Sequence, residues 1–125
     1  MKKTIMAKDA PAAVGPYVHA VQAGNLLYAS GQLGLVPETG ELPEGIVAQT
    51  KQSLDNVGAV LRAAGYDYKD VIKTTVFIDN MDDFGTVNEI YATYFTGETP
   101  ARSCVEVAKL PKGALVEVEV VAYKE

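Results

Sequence analysis

Among its 125 residues the chain has one cysteine, one histidine and no tryptophan. A lone Cys104 excludes an intrachain disulfide, suits a reducing compartment and gives no zinc signature. A lone His19 argues against a histidine-based metal site. Positive charge is not in excess either: 11 Lys and Arg stand against 16 Asp and Glu, a net charge of −5. That balance argues against a general nucleic-acid binder, whose affinity comes largely from cations neutralising phosphates. It leaves room for a local cationic pocket that takes a small anion. No stretch approaches the roughly 20 apolar residues of a membrane span, and no apolar run fit for a signal peptide follows Lys2 and Lys3. A phosphate-cradling glycine loop, a Ser-His-Asp set and a metal-ligand cluster are also missing. The expectation is a cytoplasmic protein in which residues 1–125 form one domain.

What is present has the punctuation of an α+β domain. Residues 7–16 (AKDAPAAVGP) read as an irregular segment. Val18–Ala23 and Leu26–Ser30 are short runs separated by Gly24-Asn25, the pattern of a hairpin with a type II′ turn. A Gly- and Pro-rich loop spans 34–45. Residues 46–64 read as a helix, with Val47, Leu54, Val57, Leu61 and Ala64 at helical spacing. Gln49, Lys51, Gln52, Asp55 and Arg62 populate its other side, and Gly65 suits its end. Residues 70–78 (DVIKTTVFI) read as a strand. Asn80 suits an N-cap, and the following helix runs to about Phe95 with Phe84, Val87, Tyr91, Tyr94 and Phe95 on one side. Residues 101–107 and 115–123 are strands joined by a loop holding Pro111 and Gly113. A short extra strand fits near Thr4-Ile5.

Two helices can cover only one face of such a sheet. In the last strand Val116, Val118, Val120 and Ala122 point one way, under the helices. Leu115, Glu117, Glu119, Val121 and Tyr123 point the other way. An uncovered sheet face of mixed character is a candidate subunit interface with polar sites embedded in it.

The densest chemical signal is Pro100–Val107 (PARSCVEV). Alternation puts Arg102, Cys104 and Glu106 on one face and Ser103, Val105 and Val107 on the other. Matching valine to valine places Arg102 and Cys104 on the face of Glu117 and Glu119. An arginine fork suits a substrate carboxylate, and a nearby carboxylate can orient or deprotonate a water. The same groups could equally form a structural ion pair, which geometry alone slightly favours. Asn88 interrupts the apolar side of the second helix and is either a structural tie or a site residue. Cys104 reads as a small buried hydrophobe rather than a nucleophile. His19 reads as structural or exposed, and Ser30-Gly31 either presents backbone N–H groups to a ligand or is a plain turn.

These segments carry a resemblance. Pro100–Lys112 (PARSCVEVAKLPK) followed by Leu115–Val120 (LVEVEV) resembles the C-terminal signature of the imine deaminase family, also called the RidA or YjgF-like family. Ala10–Tyr17 (APAAVGPY), Tyr28–Gln32 (YASGQ), Gln52–Val57 (QSLDNV) and Lys73–Ile78 (KTTVFI) match as well, so the likeness spans essentially the whole chain. It implies a chorismate-mutase-like mixed sheet with two helices on one face, assembled as a homotrimer whose sheets form a central barrel with clefts between subunits. It implies hydrolysis of 2-iminobutanoate and 2-iminopropanoate to 2-keto acids and ammonia, with no cofactor and no nucleic-acid or membrane partner. Arg102 matches the arginine that binds the substrate carboxylate, and Glu117 the glutamate that handles the water. Tyr17, Ser30, Gly31, Asn88 and Cys104 match residues lining the cleft. The short loop at 95–100 bears on the cleft rim. The competing reading is a ligand-binding or regulatory module of the same fold, since some relatives are described as translation inhibitors, ribonucleases or purine-gene regulators. Retention of Arg102 with loss of Glu117 would favour that reading; this sequence has both.

Overall fold

The structure is a computed structural model that describes residues 1–125. It contains strands β1 (Lys2–Ile5), β2 (Ala20–Ala23), β3 (Leu26–Ala29), β4 (Gln32–Leu33), β5 (Val71–Ile78), β6 (Ala101–Glu106) and β7 (Val116–Tyr123). Helices α1 (Ile46–Ala63) and α2 (Phe84–Tyr94) complete it. One sheet runs in the order β1-β2-β3-β7-β5-β6, and β4 pairs with β7 beyond the end of β3. All pairings are antiparallel except β5 with β6. A parallel pair needs a crossover, and α2 supplies it. This is the expected α+β arrangement of a mixed sheet with two helices. No helix is long and apolar enough to cross a membrane.

The hairpin turn follows from Gly24. Its φ is 61°, and Asn25 is not in the left-handed region. A type II′ turn needs positive φ at its first central residue alone. At the start of β5 the register to β7 shifts between Val71 and Lys73, so Ile72 bulges out and is exposed.

The core lies between the helices and one face of the sheet. Leu27, Val76, Ile78, Val116, Val118 and Val120 rise from the strands, and Leu54, Val57, Val60 and Leu61 descend from α1; all are fully buried. Truncating one such leucine to alanine costs about 2–5 kcal/mol.

Apolar periodicity misplaced part of α1. Val47 is 46% exposed, whereas Gln49, Ser53 and Asn56 are buried. Their side chains bond backbone groups of the short strand β4 and of the segments flanking β4, α1 and β7. Gln49 donates to the Pro43 carbonyl at 3.0 Å and accepts from the Leu115 N–H at 2.9 Å. Ser53 donates to the Gln32 carbonyl at 2.7 Å. Asn56 donates to the Leu33 and Leu35 carbonyls, each at 2.9 Å. Buried polar groups are tolerated when they are paired in this way, and a hydrophobic pattern cannot register them. Asn80 does cap, but it caps a 3-10 turn over Met81–Asp83, accepting from the Asp82 N–H at 2.9 Å. The helix proper begins at Phe84.

Candidate active site

The seven candidate residues fall into two groups on opposite faces of the sheet. The first group gathers on β6 and α2. In the register, Arg102 lies beside Thr74, which lies beside Val120. Cys104 lies beside Val76, and Val76 beside Val118. Paired residues share a face, so Arg102 and Cys104 stand on the helix side. Ser103 and Val105 stand on the open side, with Thr75, Phe77, Glu117 and Glu119. The expectation that Arg102 and Cys104 share a face with Glu117 and Glu119 is therefore corrected. The alternation was right, but the valine side of β6 is the open side. The cause is position: β6 is an edge strand, at the rim of a layer only two helices wide. Its helix-side positions can carry polar groups, and its Val105 is left 42% exposed.

Arg102 is seated by α2. Phe84, Asn88 and Tyr91 recur at i, i+4 and i+7 and so present one stripe. Arg102 Nη1 donates to Asn88 Oδ1 at 2.6 Å. The guanidinium carbon stands 4.9 Å from the centre of the Tyr91 ring and 5.4 Å from that of Phe84, within cation–π range. Tyr91 is itself anchored, its hydroxyl sharing a 2.8 Å hydrogen bond with Thr74 Oγ1. Asn88 is thus a tie to the arginine, and being neutral it leaves the cation's charge uncompensated. Burial pushes the Cys104 thiol up, offset in part by Arg102. A thiol held protonated is a poor nucleophile.

The second group surrounds a cavity of about 640 Å³ on the other side of the sheet, lined among others by Tyr17, Ser30, Gly31, Lys112, Glu117 and Glu119. Glu117 comes from β7, half-buried. Burial, and then the neighbouring Glu119 charge, raise its carboxyl above the ordinary value of 4.5. Gly31 explains where that carboxyl can lie. A Cβ at this position would stand 2.8 Å from Glu117 Cδ and Oε2 and 2.9 Å from Cγ. Its φ is not left-handed, so the need for glycine is one of space. Ser30 donates its hydroxyl to the Val18 carbonyl at 2.7 Å and its N–H to the His19 carbonyl at 2.9 Å. That N–H is committed within the fold and is not free for a ligand.

Sequence reasoning grouped Phe84 and Tyr91 with the core and did not connect them to Arg102; their i, i+4, i+7 spacing around Asn88 was the available signal. It also passed over Lys112, the one non-glycine residue with left-handed φ (60°), which lines the cavity. No cluster of three or more His, Cys, Asp or Glu is placed to hold a metal ion. Chemically, the chain offers an aromatic-seated guanidinium at one rim and a carboxylate with raised proton affinity in a cavity on the opposite face.

Comparison with known proteins gives consistent matches. Residues 7–124 match the family described as Endoribonuclease L-PSP. A mouse protein named 2-iminobutanoate/2-iminopropanoate deaminase is 53% identical, over 99% of this chain and 93% of its own length. A protein of the same name from Escherichia coli K12 is 50% identical, over 99% of each chain. The crystal structure of RidA from an Antarctic Psychrobacter superposes with a TM-score of 0.96 at 46% identity, over 98% of this chain and 99% of that one.

Proposed function

The chain belongs to the Endoribonuclease L-PSP family, and on that premise we propose that it is a 2-iminobutanoate/2-iminopropanoate deaminase. The observation that carries this reading is the half-identity, over nearly the full chain, to proteins of that name, with Arg102 and Glu117 both in place.

The substrate is a small 2-imino acid with a carboxylate beside a protonated C=N. Arg102 grips the carboxylate through two parallel hydrogen bonds. Glu117 takes a proton from a water as the water oxygen bonds to the imine carbon and the C=N pair moves onto nitrogen. Return of that proton to the nitrogen makes it the better leaving group. As the C–N bond breaks, the hydroxyl oxygen forms the carbonyl and gives its proton to the Glu117 carboxylate, which passes it to the departing ammonia, so the products are the keto acid and ammonium. The carbon is already electrophilic, so positioning and one proton acceptor suffice. Tyr17, Ser30, Gly31, Asn88 and Cys104 line the cleft, and the short loop at 95–100 shapes its rim.

Arg102 and Glu117 open to opposite faces of one chain, so a complete site draws them from two copies. The open sheet face supports such docking: Tyr28 is 57% exposed there and Tyr123 43%. A homotrimer of chains packed through these faces joins the β6–α2 rim of one copy to the Glu117 cavity of the next. Cleavage of RNA, which the family's description suggests, lacks support in the net charge of −5. The lone His19 is also buried, with both ring nitrogens occupied.

The test couples a pyridoxal-phosphate threonine dehydratase, as imine source, to this protein and follows keto-acid and ammonia release. Acceleration over the uncatalysed hydrolysis is expected. A rate equal to that without the protein refutes the reading.

A further inference from the structure

His19 is 2% exposed, and its ring is spanned by two backbone bonds. The Ala7 N–H donates to Nδ1 at 2.8 Å. Nε2 lies 2.8 Å from the Pro11 carbonyl oxygen. An amide N–H only donates and a carbonyl only accepts, so both bonds form only in the neutral tautomer with its hydrogen on Nε2. Ala7 and Pro11 belong to the irregular stretch between β1 and β2, which has no ladder of its own. The imidazole holds that stretch where a strand pairing would otherwise be needed.

The stretch it holds is a wall. Pro11, Ala12, Val14 and Tyr17 line the cavity that also takes in Ser30, Gly31 and Glu117. Ser30, on a different element of the lining, is tied to the same residue through its backbone. Ser30 donates its N–H to the His19 carbonyl at 2.9 Å and its hydroxyl to the adjacent Val18 carbonyl at 2.7 Å. One residue therefore holds two separate segments of the lining, its side chain the stretch at Ala7 and Pro11 and its carbonyl Ser30.

We propose that His19 is a positioning residue of the site: by clamping Ala7 and Pro11 it sets the width of the cavity and the placement of Tyr17 relative to Ser30 and Glu117. This rests on the deaminase reading and deepens it. The clamp acts on substrate binding. The proton transfer at Glu117 does not pass through the imidazole, which takes no part in the reaction.

Glutamine supplies one acceptor and one donor at a spacing close to that of the ring nitrogens, whereas leucine keeps bulk and supplies neither. His19→Leu is expected to raise KM for the imine, and Kd for 2-ketobutyrate by calorimetry, about tenfold, as two neutral hydrogen bonds are lost. Its kcat should stay within about twofold. His19→Gln should return both constants to near the wild-type values. A merely architectural role predicts a different result: a lower melting temperature and a smaller active fraction, with KM and Kd unmoved. Unchanged constants in a folded His19→Leu protein overturn the proposal, as does a His19→Gln protein as defective as His19→Leu. If the leucine variant does not fold, His19→Asn decides, since its shorter amide reaches one partner only: a raised KM supports the clamp and an unchanged one overturns it. Wild-type protein that neither turns over imine nor binds 2-ketobutyrate overturns the deaminase reading and the clamp with it. Normal wild-type behaviour with a silent His19→Leu overturns the clamp alone.

Discussion

Gly31→Ala perturbs the placement of the Glu117 carboxyl without altering the carboxyl itself. The backbone at this position is not left-handed, so alanine is conformationally acceptable, and the loss of unfolded-state freedom favours folding by about 0.4–1 kcal/mol. The difficulty is local. The new methyl would stand 2.8 Å from Glu117 Cδ and Oε2 and 2.9 Å from Cγ, several tenths of an ångström inside the ~3.5 Å of ordinary carbon contact. Backbone is anchored at Gly31, between Ser30 and β4, so the glutamate side chain gives way. A displacement approaching 1 Å in a catalytic group costs about 10²-fold in rate. The expected outcome is a 10- to 100-fold fall in kcat in the coupled imine assay, with a melting temperature no lower than the wild type. The substitution should add almost nothing in a Glu117→Gln background, because the group it displaces is already disabled. Full activity in Gly31→Ala, or an equal further loss in the double variant, refutes the assignment of Glu117 as the proton acceptor.

Further outcomes follow from the same geometry. Arg102→Lys should lose most of the activity and Arg102→Ala nearly all, since an ammonium cannot make the two-pronged contact; wild-type kcat/KM in either variant would remove the anchor. The raised carboxyl of Glu117 fixes a pH dependence. A base works when deprotonated, so kcat/KM should fall with decreasing pH along a limb centred above the ordinary 4.5. Glu119→Gln should move that limb down without restoring 4.5, because burial is the larger cause. The same shift means that the folded state holds this proton more tightly than the unfolded chain does. Glu117 then favours folding below 4.5, and that contribution is lost as pH rises from 4.5 through the raised value. Glu117→Gln should accordingly melt no lower than wild type at neutral pH, and a clear drop in thermal denaturation would contradict the burial argument.

The elements were legible in the sequence because their signals are local. Gly24-Asn25 specifies a turn, the β-branched run at 71–78 a strand, and the leucines and valines of 46–64 a helix. Two features were not legible. The face of β6 depends on its being the edge strand, which alternation within PARSCVEV does not encode. A buried valine and an exposed valine read alike, so Val105 led to the wrong side. The polar face of α1 was hidden for a related reason: Gln49, Ser53 and Asn56 are buried because they pair with backbone groups of other segments, from Gln32 to Leu115. Of the candidate residues, the types were legible but not their division. That Arg102 and Glu117 lie on opposite faces follows from the pairing of β5 with both β6 and β7, a long-range fact.

That division gives the most direct test of a catalytic cleft built from two copies. Arg102→Ala and Glu117→Gln chains, each nearly inactive alone, are unfolded together, refolded as an equal mixture and assayed for imine hydrolysis. Random assembly puts an intact arginine from one copy beside an intact glutamate from the next in about a quarter of the clefts. Recovery of about that fraction of wild-type activity is expected. Activity no greater than the mean of the two separately refolded variants would contradict it, placing both groups in one chain's site or neither in the reaction.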